Sequence, residues 1–276
     1  MNDYTCEDIG NIVLLEHVNL QVPDQTVATI FYIMGLGLTR DPYFNIGVRN
    51  MWANVGEQQF HLPIRPVQVI HGHVGLVFPD LAALKERLAS VEEPLAGTQF
   101  NWSAESEYVA VTCPWGNHFR CYGTGMTFGD MALGIPYAEF LIPRNFAAGM
   151  ARFYDQALAA PAVTETDEQG TLARIKFGRH QALVFRETDE TAPPYDGHHV
   201  AIYVANFSRP YAFLKQRGLI SEEVRNHQFR FRELFDPESN QPLTVNLFSI
   251  FHLKSGEQRR SYWSCGGSRR PSGYFC

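Results

Sequence analysis

The chain has 276 residues, 45% of them hydrophobic and 19% charged, which is enough material for two ordinary domains with real cores. Its formal net charge of −6 excludes a general binder of phosphate backbones, which needs clustered excess Lys and Arg. No apolar run approaches the ~20 residues of a membrane span, and Met1-Asn2-Asp3-Tyr4-Thr5-Cys6 lacks the basic and apolar stretches of a secretion signal. The cysteines Cys6, Cys113, Cys121, Cys265 and Cys276 are odd in number and form no CxxC pair, as expected of reduced thiols in a cytoplasmic protein.

In chain order, the first clear element is an apolar strand over Leu14 to Val22 carrying His17, broken by Pro23-Asp24. Strict alternation puts Leu14, Glu16, Val18, Leu20 and Val22 on one face and Val13, Leu15, His17, Asn19 and Gln21 on the other. A helical pattern runs from Thr26 to Gly35, and strands follow at Asn50–Val55 and Gln58–Ile64 around a Gly56-Glu57 turn. A second strand with a histidine near its head, Gly72 to Phe78, leads to a helix over Leu81–Leu88 with Asp80 placed to cap it. Tyr108–Thr112 and His118–Tyr122 then read as strands joined by a Cys113–Asn117 turn. After a glycine-rich linker at 124–134, a third unit opens at Tyr137–Ile142, with a helix over Phe146–Leu158 and strands around Ala173–Phe177 and Ala182–Arg186. The fourth opens at His198–Asn206, with a helix near Arg209–Arg217, a strand at Phe229–Phe235, an Asp236–Asn240 turn and an apolar run from Leu243 to His252. From Ser255 the composition becomes basic and rich in Gly and Ser, as in a flexible arm or a shifted reading frame.

His17, His73, Glu139 and His199 head the four copies at intervals of about sixty residues, the mark of a repeated supersecondary unit. Each unit is strand, helix, then two or three strands. The expected fold is α+β: four βαβββ modules paired into two curved mixed-sheet domains, over 10–123 and 135–254, with a tail at 255–276.

Glu16-His17-Val18, His73-Val74-Gly75-Leu76 and the turns Pro114-Trp115-Gly116-Asn117 and Asp236-Pro237-Glu238 resemble the vicinal oxygen chelate superfamily of glyoxalases, bleomycin-binding proteins and extradiol dioxygenases. The resemblance spans Val13 to His252 and has the module count of the two-domain extradiol enzymes. It implies one divalent metal per cup, bound by the first strands of two paired modules and by the last strand of each. On that pattern His17, His73 and His61 belong to the first domain's cup, with Arg120 where the family usually has glutamate. Glu139 and His199 belong to the second domain's cup, the remaining positions falling near Phe185 and Leu247, neither of which is a ligand type.

The resemblance thus implies metal-dependent chemistry on a small molecule chelated through neighbouring oxygens, dioxygenase-like or lyase/isomerase-like, with Fe, Mn, Zn, Ni or Co as the ion. An anionic substrate suits Arg120 as an oxygen clamp, and His227 falls where extradiol enzymes place an acid–base histidine. A metal-free sequestering protein of the same fold is the competing expectation. Neither nucleic acid nor membrane is expected as a partner; sheet-edge pairing into a homodimer is one option.

Overall fold

The computed structural model describes residues 8–43, 49–224, 228–231, 233–243 and 252–255. The first module comprises β1 (Ile12–Asn19), α1 (Gln25–Ala28) running on as a π-helical segment over Thr29–Gly35, β2 (Thr39–Arg40), β3 (Asn50–Val55) and β4 (Gln58–Pro63). The second has β5 (Gly72–Phe78), α2 (Leu81–Ser90), β6 (Asn101–Ala104), β7 (Val109–Thr112) and β8 (His118–Gly123). The third has β9 (Tyr137–Pro143), α3 (Ala147–Leu158), β10 (Ala162–Asp167), β11 (Gly170–Phe177) and β12 (Gln181–Thr188). The fourth has β13 (His199–Val204), α4 (Ser208–Gln216), β14 (Ile220–Val224), β15 (Gln228–Phe231) and β16 (His252–Ser255).

All four units are therefore βαβββ. The strand immediately after each helix (β2, β6, β10, β14) escaped the sequence reading because it ends a sheet and is largely polar, as in Asn101-Trp102-Ser103-Ala104. Edge strands present little apolar alternation. Capping follows expectation: the Asp24 carboxylate accepts from the Thr26 and Val27 amides at 2.6 and 3.1 Å, and Asp80 accepts from the Ala83 amide at 2.9 Å.

The strands form two eight-stranded sheets, ordered β14-β15-β16-β13-β1-β4-β3-β2 and β10-β11-β12-β9-β5-β8-β7-β6. Module one thus shares a sheet with module four, and module two with module three. Consecutive modules had been expected to share each concave face, and the pairing is a correction. The halves nevertheless keep their own aromatic layers on the helical side. Phe60 and Phe119 lie 5.7 Å apart in the N-terminal half, and Phe153 and Phe231 lie 6.1 Å apart in the C-terminal half. Each such ring, fully buried, contributes roughly 1.5–3 kcal/mol.

Two local features sit at the seams of the crossed pairing and favour it. Gly72, at φ 146°, lets β9 approach so closely that a Cβ there would sit 2.0 Å from the Glu139 carbonyl oxygen. At the other seam the Asn11 amide group bonds both ways to the Asn206 backbone, at 3.1 and 2.6 Å. Neither feature belongs to the repeat, so the repeat alone did not predict which first strands would pair.

The face assignment of β1 also needs correction. Its register against β13 slips between Leu15 and His17, so Leu15 and Val18 both enter the core although three residues separate them. Glu16 is left beside His17 with its carboxylate 2.8 Å from Nδ1. In β13 the expected alternation holds: Val200, Ile202 and Val204 are in the core, and His199 and Ala201 take the opposite face. The stretch at 124–134 is no free tether, because Gly134 pairs with Val77 and Phe128 packs 5.0 Å from the Tyr122 ring.

Candidate functional site: a histidine cup and an arginine cup

Each sheet is built around two antiparallel first strands, with a last strand running parallel to each on its outer side. One register rule holds in all four modules. The residue two beyond the head of the first strand pairs with a fixed position on the last strand: Asn19 with His61, Gly75 with Arg120, Leu141 with Arg186, and Ala201 with His252. The β1–β13 sheet therefore has His17, His61, His199 and His252 at its four key register positions, and the β5–β9 sheet has His73, Arg120, Glu139 and Arg186. His17 and His61 do share a cup, but His73 is in the other one, and His199 stands in its place.

One of the four last-strand positions is corrected by the structure. The third module's is Arg186 and not Phe185, a one-residue difference that changes the face of the sheet; Phe185 is buried at 2% exposure on the core side. The fourth had been placed near Leu247, which lies outside the described residues; strand register pairs His252 with Ala201. His227 also lies outside the described residues. His198 stacks on Phe140 and has its Nδ1 2.6 Å from Asp196.

In the histidine cup, the His17 ring lies 5.8 Å from His61 and 6.2 Å from His199, centroid to centroid. Trp52 stacks on His61 at 3.9 Å with 13° between planes, and stands edge-on to His17 at 4.9 Å. Polar neighbours complete this face. Gln59 donates to Asp41 and Asn54 at 2.9 and 2.6 Å, and Asn19 donates to Gln68 at 3.2 Å.

The tautomers follow from the acceptors. His199 Nδ1 faces the Gly197 carbonyl at 3.1 Å, His17 Nδ1 the Glu16 carboxylate at 2.8 Å, and His61 Nε2 the Asn50 side-chain oxygen at 2.8 Å. Each contact requires an N–H on the named nitrogen and leaves the lone pair of a neutral ring on the other. Burial, followed by repulsion from His17, pulls the His199 pKa down to about 3, so it is neutral at physiological pH.

This arrangement bears on a metal. Ligating histidines characteristically give their second nitrogen to a carboxylate or carbonyl, as these three do. With metal–nitrogen distances of about 2.0–2.1 Å, two imidazoles on one ion have ring centroids roughly 5–6.5 Å apart. Both measured separations lie at the wide end of that range, beyond the roughly 5 Å of a tetrahedral pair. Among the described residues, however, no three His, Cys, Asp or Glu side chains converge closely enough to hold an ion together. The donor chemistry fits a metal; three-way closure is not present in this conformation.

The arginine cup does not fit one. Arg186 donates to Asp167 at 2.7 and 2.9 Å and to Glu139 at 3.2 Å, so the one buried carboxylate is already paired. His73 stands 3.5 Å from Glu139 through Nδ1 and 2.9 Å from the Tyr137 hydroxyl through Nε2, and Tyr137 in turn meets the Tyr122 hydroxyl at 2.9 Å. Burial, then Arg120 and Arg186, lower the His73 pKa to about 3. Burial raises the Glu139 pKa against the pull of Arg186. Gly75 makes room for Tyr137, since a Cβ there would lie 2.3 Å from its ring. Two permanent cations at the last-strand positions repel a divalent ion by several kcal/mol each at contact distances of ~4 Å. His73 and Glu139 thus form part of a hydrogen-bonded ionic network.

No family model matches the chain, and no curated protein sequence matches it. Glyoxalase I from Zea mays superimposes with a TM-score of 0.65 at 13% identity, over 94% of this chain and 98% of that one. A Bacillus subtilis protein described as a candidate dioxygenase gives a TM-score of 0.57 at 14% identity, over 89% of this chain and 86% of that one. At such identities the likeness is one of fold. Together with four βαβββ units crossed into two sheets, it establishes that this chain has a glyoxalase-like fold in a four-module form.

Proposed function

We propose that the chain is a metal-dependent enzyme acting on a small molecule that presents neighbouring oxygens, and that the histidine cup is its site. The observation carrying this reading is the set of three imidazoles, His17, His61 and His199, on one concave face, each with one nitrogen committed to an oxygen acceptor. His252, at the matching register on β16, is the fourth position. A bound divalent ion would supply Lewis-acid stabilisation of an enolate or catecholate oxygen. An all-imidazole set adds no negative charge, leaves the ion's full charge for substrate oxygens, and suits Zn, Fe or Ni better than Mg or Ca. Glu16 and the Gly197 carbonyl orient two of the rings, and Trp52 walls the cup beside His61.

The reading leaves the reaction between ring-opening oxygenation and a glyoxalase-like lyase or isomerase step. A metal-free sequestering protein is the rival, favoured by the lack of three-way closure among the described residues. Metal analysis of untagged protein decides between them, with Co(II) titration followed by visible absorption as the second readout. The expected result is one ion per chain and a cobalt ligand-field band, both lost in His17→Ala and His199→Ala and retained in His73→Ala. Substoichiometric metal with no band in the wild type would establish the sequestering reading instead.

A further inference from the structure

The arginine cup holds a cation that its own carboxylates do not satisfy. Arg186 takes Asp167 and Glu139, whereas Arg120 makes no hydrogen bond or ion pair with any described residue. Asp167 is 44% exposed at the sheet edge and so largely screened. The buried part of the cup then has two guanidinium groups against the single carboxylate of Glu139, beside a neutral His73.

The surroundings of Arg120 are aromatic. Its guanidinium carbon lies 5.2 Å over the Tyr108 ring. Tyr108 continues to Tyr122 at 5.5 Å and Tyr122 to Phe128 at 5.0 Å, all three half-buried and reached by solvent. Tyr137 lies over Gly75 and closes the floor, so a ligand would sit at the rim beside Tyr108, Tyr122 and Phe128. A half-buried guanidinium with no described carboxylate in contact, only Glu139 acting on it at a distance, has N–H donors free to recognise a planar oxyanion in pairs. A wall of aromatic rings beside it selects a flat apolar body.

We propose that the arginine cup is a metal-independent binding site for a small aromatic carboxylate. Its carboxylate pairs with Arg120 and its ring packs against Tyr108, Tyr122 and Phe128. The site is separate from the histidine cup, and the inference does not rest on the metal reading.

The test is calorimetric titration of the full chain, stripped of metal with a chelator, with benzoate, acetate and benzamide. Benzoate is expected to saturate, acetate to bind at least tenfold more weakly, and benzamide to show no saturation. Arg120→Gln should weaken benzoate at least tenfold, and Arg120→Lys less. Tyr108→Leu, which keeps the charge, should weaken benzoate more than acetate and serves if the arginine variants do not fold. Failure of benzoate to saturate the wild type, or equal binding by Arg120→Gln, overturns the inference. So does benzoate binding that survives Arg120→Gln and disappears in His17→Ala, a result that would leave the metal reading standing.

Discussion

Arg186→Met isolates the ionic network of the arginine cup. The wild-type side chain is about one-tenth exposed and pairs with Glu139, which is equally buried, and with the more exposed Asp167. Truncation leaves the Glu139 carboxylate in the sheet with no cation in contact. Breaking a buried pair from one side costs about 3–5 kcal/mol, and the half-exposed Asp167 contact adds about 0–1 kcal/mol. The lower end applies because Arg120 still acts on Glu139 at a distance. A loss of about 3 kcal/mol corresponds to a Tm lowered by roughly 6–12 °C in a chain of this size.

The pH dependence gives the sharper check. Burial already holds the folded pKa of Glu139 above its ordinary 4.5, and loss of Arg186, the main opposing influence, raises it further. A carboxyl with a raised folded pKa binds more protons folded than unfolded, so stability is greater at low pH and falls as pH rises through the folded value. Urea unfolding of Arg186→Met and wild type at pH 7.5 and 5.5 should therefore show a deficit that shrinks at the lower pH. Adding Glu139→Gln should recover most of the loss at pH 7.5. A deficit below about 1 kcal/mol, or one independent of pH, would refute the account of Glu139 as a paired buried charge.

Three further outcomes are expected. His73 has its folded pKa near 3 against an ordinary 6.5, so the unfolded chain takes up its proton first and stability falls as pH drops below 6.5. His73→Gln should flatten that slope by up to about 1.4 kcal/mol per pH unit, and NMR of the wild type should show no titration of this ring between pH 8 and 4.5. Gly72→Ala forces a Cβ against the Glu139 carbonyl at a φ of 146°, so chemical denaturation should show a loss of at least about 1–3 kcal/mol. Asp80→Ala removes the acceptor for the Ala83 amide and should cost about 1 kcal/mol in the same assay, with Asp80→Asn retaining most of it.

The sequence by itself determined the repeat, the elements and the chemical types at the strand heads. His17, His73, Glu139 and His199 recur at matching places because each lies on the first strand that its module packs under a helix, and alternation carries that information locally. Helix caps at Asp24 and Asp80 were legible for the same reason: their partners lie within three residues. What belonged to tertiary structure was the choice of neighbour. Four similar first strands offer similar hydrogen-bonding edges, and the close approach at Gly72 and the Asn11–Asn206 clasp decide between them across more than sixty residues. That choice separated His73 from His17 and brought His199 to it. Register then substituted Arg186 for Phe185, because a slip of one residue turns a side chain from the cup to the core, and it paired His252 with Ala201 at the matching place on the fourth module.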